Sequence, residues 1–172
     1  ALFFGGISLV SEPAADAYAA LCARAGDRPV MVDPNIRPGF VTDEVAYRAR
    51  LDAMLARADI VKVSDEDLTW LRGPGEIDTR AMELLEEGPS IVLVTRGSLG
   101  ANAYHKGGHL FVPSERTTVV DTVGAGDTFN AGFLASLHEQ GVLNKTSLAA
   151  LSNEALEEAL KLGAKCAAVT VS

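Results

Sequence analysis

Residues 121–132 read DTVGAGDTFNAG. Three small residues, Gly124, Ala125 and Gly126, run into the carboxylate of Asp127 and then into an apolar helical pattern. A dinucleotide G-x-G-x-x-G would need glycine at 129, where Phe129 stands, and the G-K-[ST] of a P-loop does not occur. A different physical reading fits. Small residues let the backbone approach a ligand closely. The free N–H groups of a first helical turn, with the helix dipole behind them, favour an anion. Asp127 falls in that turn, so its carboxylate stands beside the anion. It can take a proton from a hydroxyl while the N–H groups hold a transferring phosphoryl group, which are the two needs of phosphoryl transfer to an alcohol. On spacing alone, Asp127 serves equally well as a helix cap.

Around this stretch, apolar runs of strand length alternate with helical patterns. Strands are predicted at ALFF, PVMVD, IVKVS and SIVLVT, and a hairpin over GANAYHKGGHLFVP turns at Gly107-Gly108. TTVV is predicted short and extended, and CAAVTVS as a last strand. Helices are predicted over 13–25, 43–58, DEDLTWL, TRAMELLEE, 125–140 and about 153–165. Ser11-Glu12-Pro13 reads as a polar cap with proline in the first turn. Repeated strand–helix units imply a mainly parallel sheet covered on both faces. Ligands of such sheets sit beyond the carboxyl ends of the strands. That rule selects Asp33 to Arg37, Ser64 to Asp67, Thr95 to Gly100 and the opening stretch.

The longer stretch DTVGAGDTFNAGFLASL resembles the second signature of the ribokinase-like (PfkB) family of carbohydrate kinases. DPNIRPGF, VKVSDEDLTWL and VLVTRGSLGA follow the family's order, so the resemblance covers nearly the whole chain. It implies a ribokinase-like three-layer α/β/α fold. It also implies transfer of the ATP γ-phosphate to a sugar or nucleoside hydroxyl. Asp127 would be the base, contacting the acceptor, and the amides of Ala125, Gly126 and Asp127 after Gly124 would form the anion hole. Thr95 and Gly97 match a T-x-G that meets nucleotide phosphates and ribose; Ser98, Gly100 and Ala164 complete that nucleotide site, and Ser64 is placed with it. A plain hairpin opening accounts for the same glycines.

SDED falls where the family often has N-x-x-E, linked to magnesium through water; here Ser64 and Asp67 replace Asn and Glu. An acid-rich helix start explains these residues too. Asp121 and Val123 match positions that bind a monovalent cation such as potassium in many relatives. Asp33, Asn35 and Arg37 form D-P-N-I-R, whose arginine can grip a phosphate or carboxylate bidentately; a turn with a structural Asp–Arg pair is the alternative. Gly6, with Gly5 and Ser8, matches an opening near the acceptor cleft, or a tight strand end. Trp70 is expected to pack its helix on the sheet. His105, His109 and His138 are expected at the surface or in the hairpin, Arg96 mostly in solvent, and 83–87 as a solvated helix face.

FFGGISLVSEP and DPNIRPGF look most like fructokinases, with 2-keto-3-deoxygluconate kinases next and ribokinases or nucleoside kinases after them. A nucleotide-binding regulatory module without catalysis is the non-enzymatic alternative. The resemblance implies ATP and magnesium, a sugar as small-molecule partner, and a homodimer through a β-sheet lid. In the family, that lid and most sugar-binding residues lie in roughly the first third of the chain. The 172 residues open without Met and are expected to be the C-terminal, nucleotide-binding part, residues 1–172, of one kinase domain. The net charge of −8 argues against nucleic acid or an acidic membrane as partner. Cys22 and Cys166 lie far apart, without C-x-x-C spacing, and fit reduced thiols of a cytoplasmic protein.

Overall fold

Alternate residues of a strand face opposite sides, and here both sides are buried. Val30 and Val32, Val61 and Val63, and Val92 and Val94 belong to one apolar cluster; Met31, Ile60, Ile91 and Leu93 belong to a second. The computed structural model, which describes residues 1–172, arranges these strands in one six-stranded sheet. The strands are β1 (Leu2–Gly5), β2 (Val30–Asp33), β3 (Ile60–Ser64), β4 (Ile91–Thr95), β5 (Gly100–His105) and β6 (Gly108–Pro113). They lie side by side in chain order. β1 to β4 pair in parallel, and the β5–β6 hairpin joins β4 antiparallel.

The first face is covered by α1 (Ala14–Ala23), α2 (Glu44–Arg57), α3 (Asp65–Arg72) and α4 (Ile77–Glu86), which contribute Cys22, Leu51, Met54, Leu68 and Leu84 to its core. The second is covered by α5 (Ala125–Glu139), α6 (Lys145–Ala149) and α7 (Asn153–Val171) through Phe129, Phe133, Leu137, Leu148, Leu156 and Leu160. The molecule is therefore the three-layer α/β/α fold with a mainly parallel sheet. Side-chain caps fix several helix starts: Asp43 accepts from the Ala46 N–H, Asn144 from Ser147 and Ser152 from Ala155. No helix is long and apolar enough to cross a membrane.

Four local expectations change or are refined. CAAVTVS is not a strand: α7 continues to Val171. Its β-branched residues suggest a strand, yet Val169 is 69% exposed and Leu156, Ala159, Leu160, Gly163 and Ala164 face the core at helical spacing. TTVV pairs with no strand; the Val120 N–H donates to the Val171 carbonyl, tying the segment to the end of α7. α1 begins at Ala14 without a serine cap, and Glu12 Oε2 instead lies 3.4 Å from the Asp16 nitrogen. The hairpin turns on Lys106 and Gly107, with Gly108 opening β6.

α5 and α7 pack closely because each presents a glycine to the other. A Cβ on Gly132 would stand 2.9 Å from the Leu162 carbonyl oxygen, and one on Gly163 would stand 3.0 Å from the Phe129 carbonyl oxygen. The pair carries the first turn of α5, so its spacing sets where that turn lies. Gly163→Ala is expected to push the helices apart and cost about 1–3 kcal/mol, the usual penalty for overpacking. Urea unfolding measures it as a lower midpoint at constant slope; an unchanged midpoint would show that the helices are not in this contact.

Candidate active site

Parallel pairing brings chemistry-bearing residues to one edge. Gly5 pairs with Asp33, and Ser64 with Thr95, so the carboxyl ends of β1 to β4 align. The first turn of α5 lies over that edge. Gly124 caps the helix with φ of +82°, in the left-handed region where glycine carries no steric penalty. The Ala125 N–H donates to Thr122 O at 3.3 Å, and the Thr128 N–H to Gly124 O. The N–H groups of Gly126 and Asp127 find no acceptor in the chain. The predicted anion hole thus retains two free amides, with the third already engaged. The Asp127 carboxylate is exposed and makes no hydrogen bond or ion pair. It does not cap the helix.

Two buried carboxylates at this edge are committed. Asp33 is buried, and its Oδ2 accepts from Lys62 Nζ at 3.0 Å and Asn130 Nδ2 at 2.8 Å, while Oδ1 accepts from the Asn35 N–H at 3.2 Å. Its partner is Lys62, not Arg37, so the Asp–Arg pair given as the alternative does not form, and Asp33 supports the site from within. Lys62 and Asn130 were not picked out from sequence. A lysine on the Ile60 side of a strand whose apolar neighbours are fully buried is the signal that marks Lys62.

Asp67 is the N3 residue of a capping box. Its Oδ2 accepts from the Ser64 N–H, the Ser64 hydroxyl accepts from the Asp67 N–H, and its Oδ1 takes the Ile36 N–H at 2.8 Å. Asp67 is buried with one N–H on each oxygen, and it fastens the DPNIR loop to α3.

That loop holds Asn35 at φ 43°, a left-handed conformation asparagine tolerates, and leaves Arg37 exposed, its Nη1 bonded only to Ile36 O. Gly6 is buried, and a Cβ there would fall 2.0 Å from the Pro34 carbonyl oxygen. Its glycine serves the packing of β1 on this loop, as the tight-strand-end alternative supposed.

Thr95 is half-buried at the end of β4, and Gly97 and Ser98 are exposed in the 3-10 turn that follows. Gly100 is buried against β6: a Cβ would meet Val112 O at 2.2 Å, so this glycine serves strand pairing. Ala164 packs in the core cluster between α5, α7 and the sheet. Asp121 and Val123 are both exposed, with Asp121 Oδ1 accepting from the Val123 N–H at 3.0 Å. No group of three or more His, Cys, Asp or Glu side chains clusters at metal-binding distance.

Trp70 packs edge-on against Tyr47 of α2, with the Arg48 guanidinium 3.6 Å over its ring, and it joins the core cluster on that face of the sheet. His105 is in the hairpin but buried, hydrogen-bonded through Nε2 to Asn153 at 2.7 Å. His109 stacks on Tyr104, and Arg96 is half-buried.

The pattern of the pfkB family of carbohydrate kinases matches residues 1–172, and the chain belongs to that family. It is 50% identical over 157 residues to a fructokinase of Rhizobium leguminosarum bv. trifolii, covering 91% of this chain and 48% of that one. Its fold is similar to that of Vibrio cholerae fructokinase in its fructose-, ADP- and calcium-bound form, with TM-score 0.85, 26% identity and coverage of 99% and 54%. It is equally similar to Xylella fastidiosa fructokinase with bound ATP, with TM-score 0.86, 26% identity and coverage of 99% and 55%. The chain spans about half the length of the relatives it matches.

Tyr47 is buried beside Asp67, and burial first, then the Asp67 charge, push its hydroxyl up to about 12. Tyr104 is raised by burial and by its hydrogen bond to Asp78. The folded chain holds the Tyr47 proton more tightly than the unfolded one. Its contribution to stability is therefore complete below about pH 10 and lost as pH rises through about 12. Absorbance at the phenolate band is expected to show Tyr47 ionising in the native protein only near pH 12, and Tyr47→Phe to remove that step. Full tyrosine ionisation by pH 10.5 without unfolding would contradict this placement, ~1.5 units below the expected step.

Proposed function

We propose that residues 1–172 are the C-terminal, nucleotide-binding part of an ATP-dependent sugar kinase whose acceptor is fructose. One observation carries the reading: at an edge where Asp33 and Asp67 are buried and fully bonded, Asp127 keeps a free carboxylate directly beside the two free amides of Gly126 and Asp127. A carboxylate poised to accept a proton next to donors for a phosphoryl oxygen is what transfer to an alcohol requires. A regulatory module without chemistry has no use for that arrangement. The relatives named above support fructose as acceptor and ATP as donor.

In this reading Asp127 takes the proton of the attacking hydroxyl. The Gly126 and Asp127 amides hold the phosphoryl oxygens as charge develops. Thr95, Gly97 and Ser98 lie along the nucleotide, and exposed Arg37 meets an anionic group of nucleotide or acceptor. Magnesium, carried with the nucleotide, would neutralise phosphate charge, and it needs few protein ligands because it keeps much of its water. That suits a site whose buried acids, Asp33 and Asp67, already have both oxygens bonded. Potassium would sit near Asp121 and the Val123 carbonyl. The lid that excludes water, and a dimer built on it, belong to the longer protein, and the reaction to the cytoplasm.

ADP release by the full-length kinase, with ATP and magnesium, tests this against fructose, 2-keto-3-deoxygluconate, ribose and adenosine, each with and without potassium. Selective turnover with fructose is expected. Asp127→Asn should lower kcat by ~10²–10⁴-fold while an ATP analogue still binds. Turnover only with another acceptor would replace fructose, and unchanged kcat in Asp127→Asn would remove the base.

A further inference from the structure

Two buried polar side chains beneath the candidate site have no part in the chemistry above. Lys62 is 6% exposed and Asn130 2%. A lysine is costly to bury, and a buried ion pair adds little stability over apolar residues of similar volume. Its position is more telling than its energy. A Cβ on Gly126 would lie 3.1 Å from Lys62 Nζ, so the ammonium abuts the residue whose N–H is free. Gly126 thus has a spatial reason to be glycine. Asn130, one turn further along α5, donates to the same Asp33 oxygen that holds the ammonium. Its own Oδ1 is buried with no hydrogen-bond partner. The amide is therefore oriented by Asp33, and α5 is tied to β2 and β3 at one carboxylate.

We propose that Lys62 is a positioning residue for phosphoryl transfer. Held by Asp33, it sets the height of the first turn of α5 above the strand ends and places a positive charge behind the free amides of Gly126 and Asp127. The proposal rests on the kinase reading above. Because that charge meets the phosphoryl group most strongly as negative charge moves onto its oxygens, Lys62 should act on kcat more than on ground-state binding.

The test uses the full-length kinase with Lys62→Met, and with Lys62→Met combined with Asp33→Asn. The pair variant removes both charges and leaves no orphaned carboxylate, so it keeps the fold where the single variant does not. Turnover is measured per folded molecule, and binding of a non-hydrolysable ATP analogue by calorimetry. The expected result is a fall in kcat of ~100-fold in the pair variant, with acceptor KM and analogue Kd within about threefold of wild type. Gly126→Ala, which puts a methyl group onto the ammonium, should lose activity without adding to that deficit, as expected for residues in contact. A folded pair variant with kcat within about threefold of wild type would overturn the proposal and leave the kinase reading intact. Absence of wild-type turnover with every acceptor would overturn both.

Discussion

The Asp33 carboxylate at the end of β2 organises the edge where the candidate site lies. It accepts from Lys62 on β3, from Asn130 on α5 and from the Asn35 backbone in the loop that follows it. Two strands, one helix and one loop therefore meet at a single buried charge. Removing one partner of such a pair costs about 3–5 kcal/mol, because the other charge is left buried and alone. The constraint is geometric as much as energetic. It leaves the first turn of α5 little freedom to rise or tilt over the strand ends.

A division of labour among acids follows. Asp33 and Asp67 are buried and have given their oxygens to the scaffold. Asp33 fixes α5, and Asp67 fixes the DPNIR loop through the Ile36 N–H while capping α3. Asp127 is exposed and uncommitted. Such an acid can exchange a proton with a bound hydroxyl without dismantling the fold. Beside this turn, Thr170 of α7 donates to the Thr128 hydroxyl at 2.9 Å. The first turn of α5 is thus held from below by β2 and β3 and from the side by α7. Pre-organised donors of this kind need not reorganise as charge develops.

Much of the fold was legible because its signals are local. The apolar runs IVKVS and SIVLVT and the glycines of the hairpin each act within a few residues. The last segment misled because Val169, Thr170 and Val171 favour strands in isolation. Packing of Gly163 and Ala164 against α5 holds them in a helix. The core of the site was legible for the same reason of locality: Gly124 to Asp127 is contiguous. The buried support was not. Asn130 and Asp33 are 97 positions apart, and nothing in D-P-N-I-R says that its aspartate turns inward to a lysine instead of outward to a ligand. Gly100 and Gly6 show the same ambiguity, since a glycine that admits a ligand and one that admits a neighbouring backbone look alike in sequence.

The central claim is that the free carboxylate of Asp127 and the amides beside it face the reacting atoms. A crystal structure of the full-length kinase with fructose and a non-hydrolysable ATP analogue tests it most directly. The account predicts a fructose hydroxyl within hydrogen-bonding reach of Asp127, about 2.6–3.2 Å, and terminal phosphate oxygens on the Gly126 and Asp127 N–H groups. A sugar bound elsewhere, or a terminal phosphate directed away from the start of α5, would contradict it.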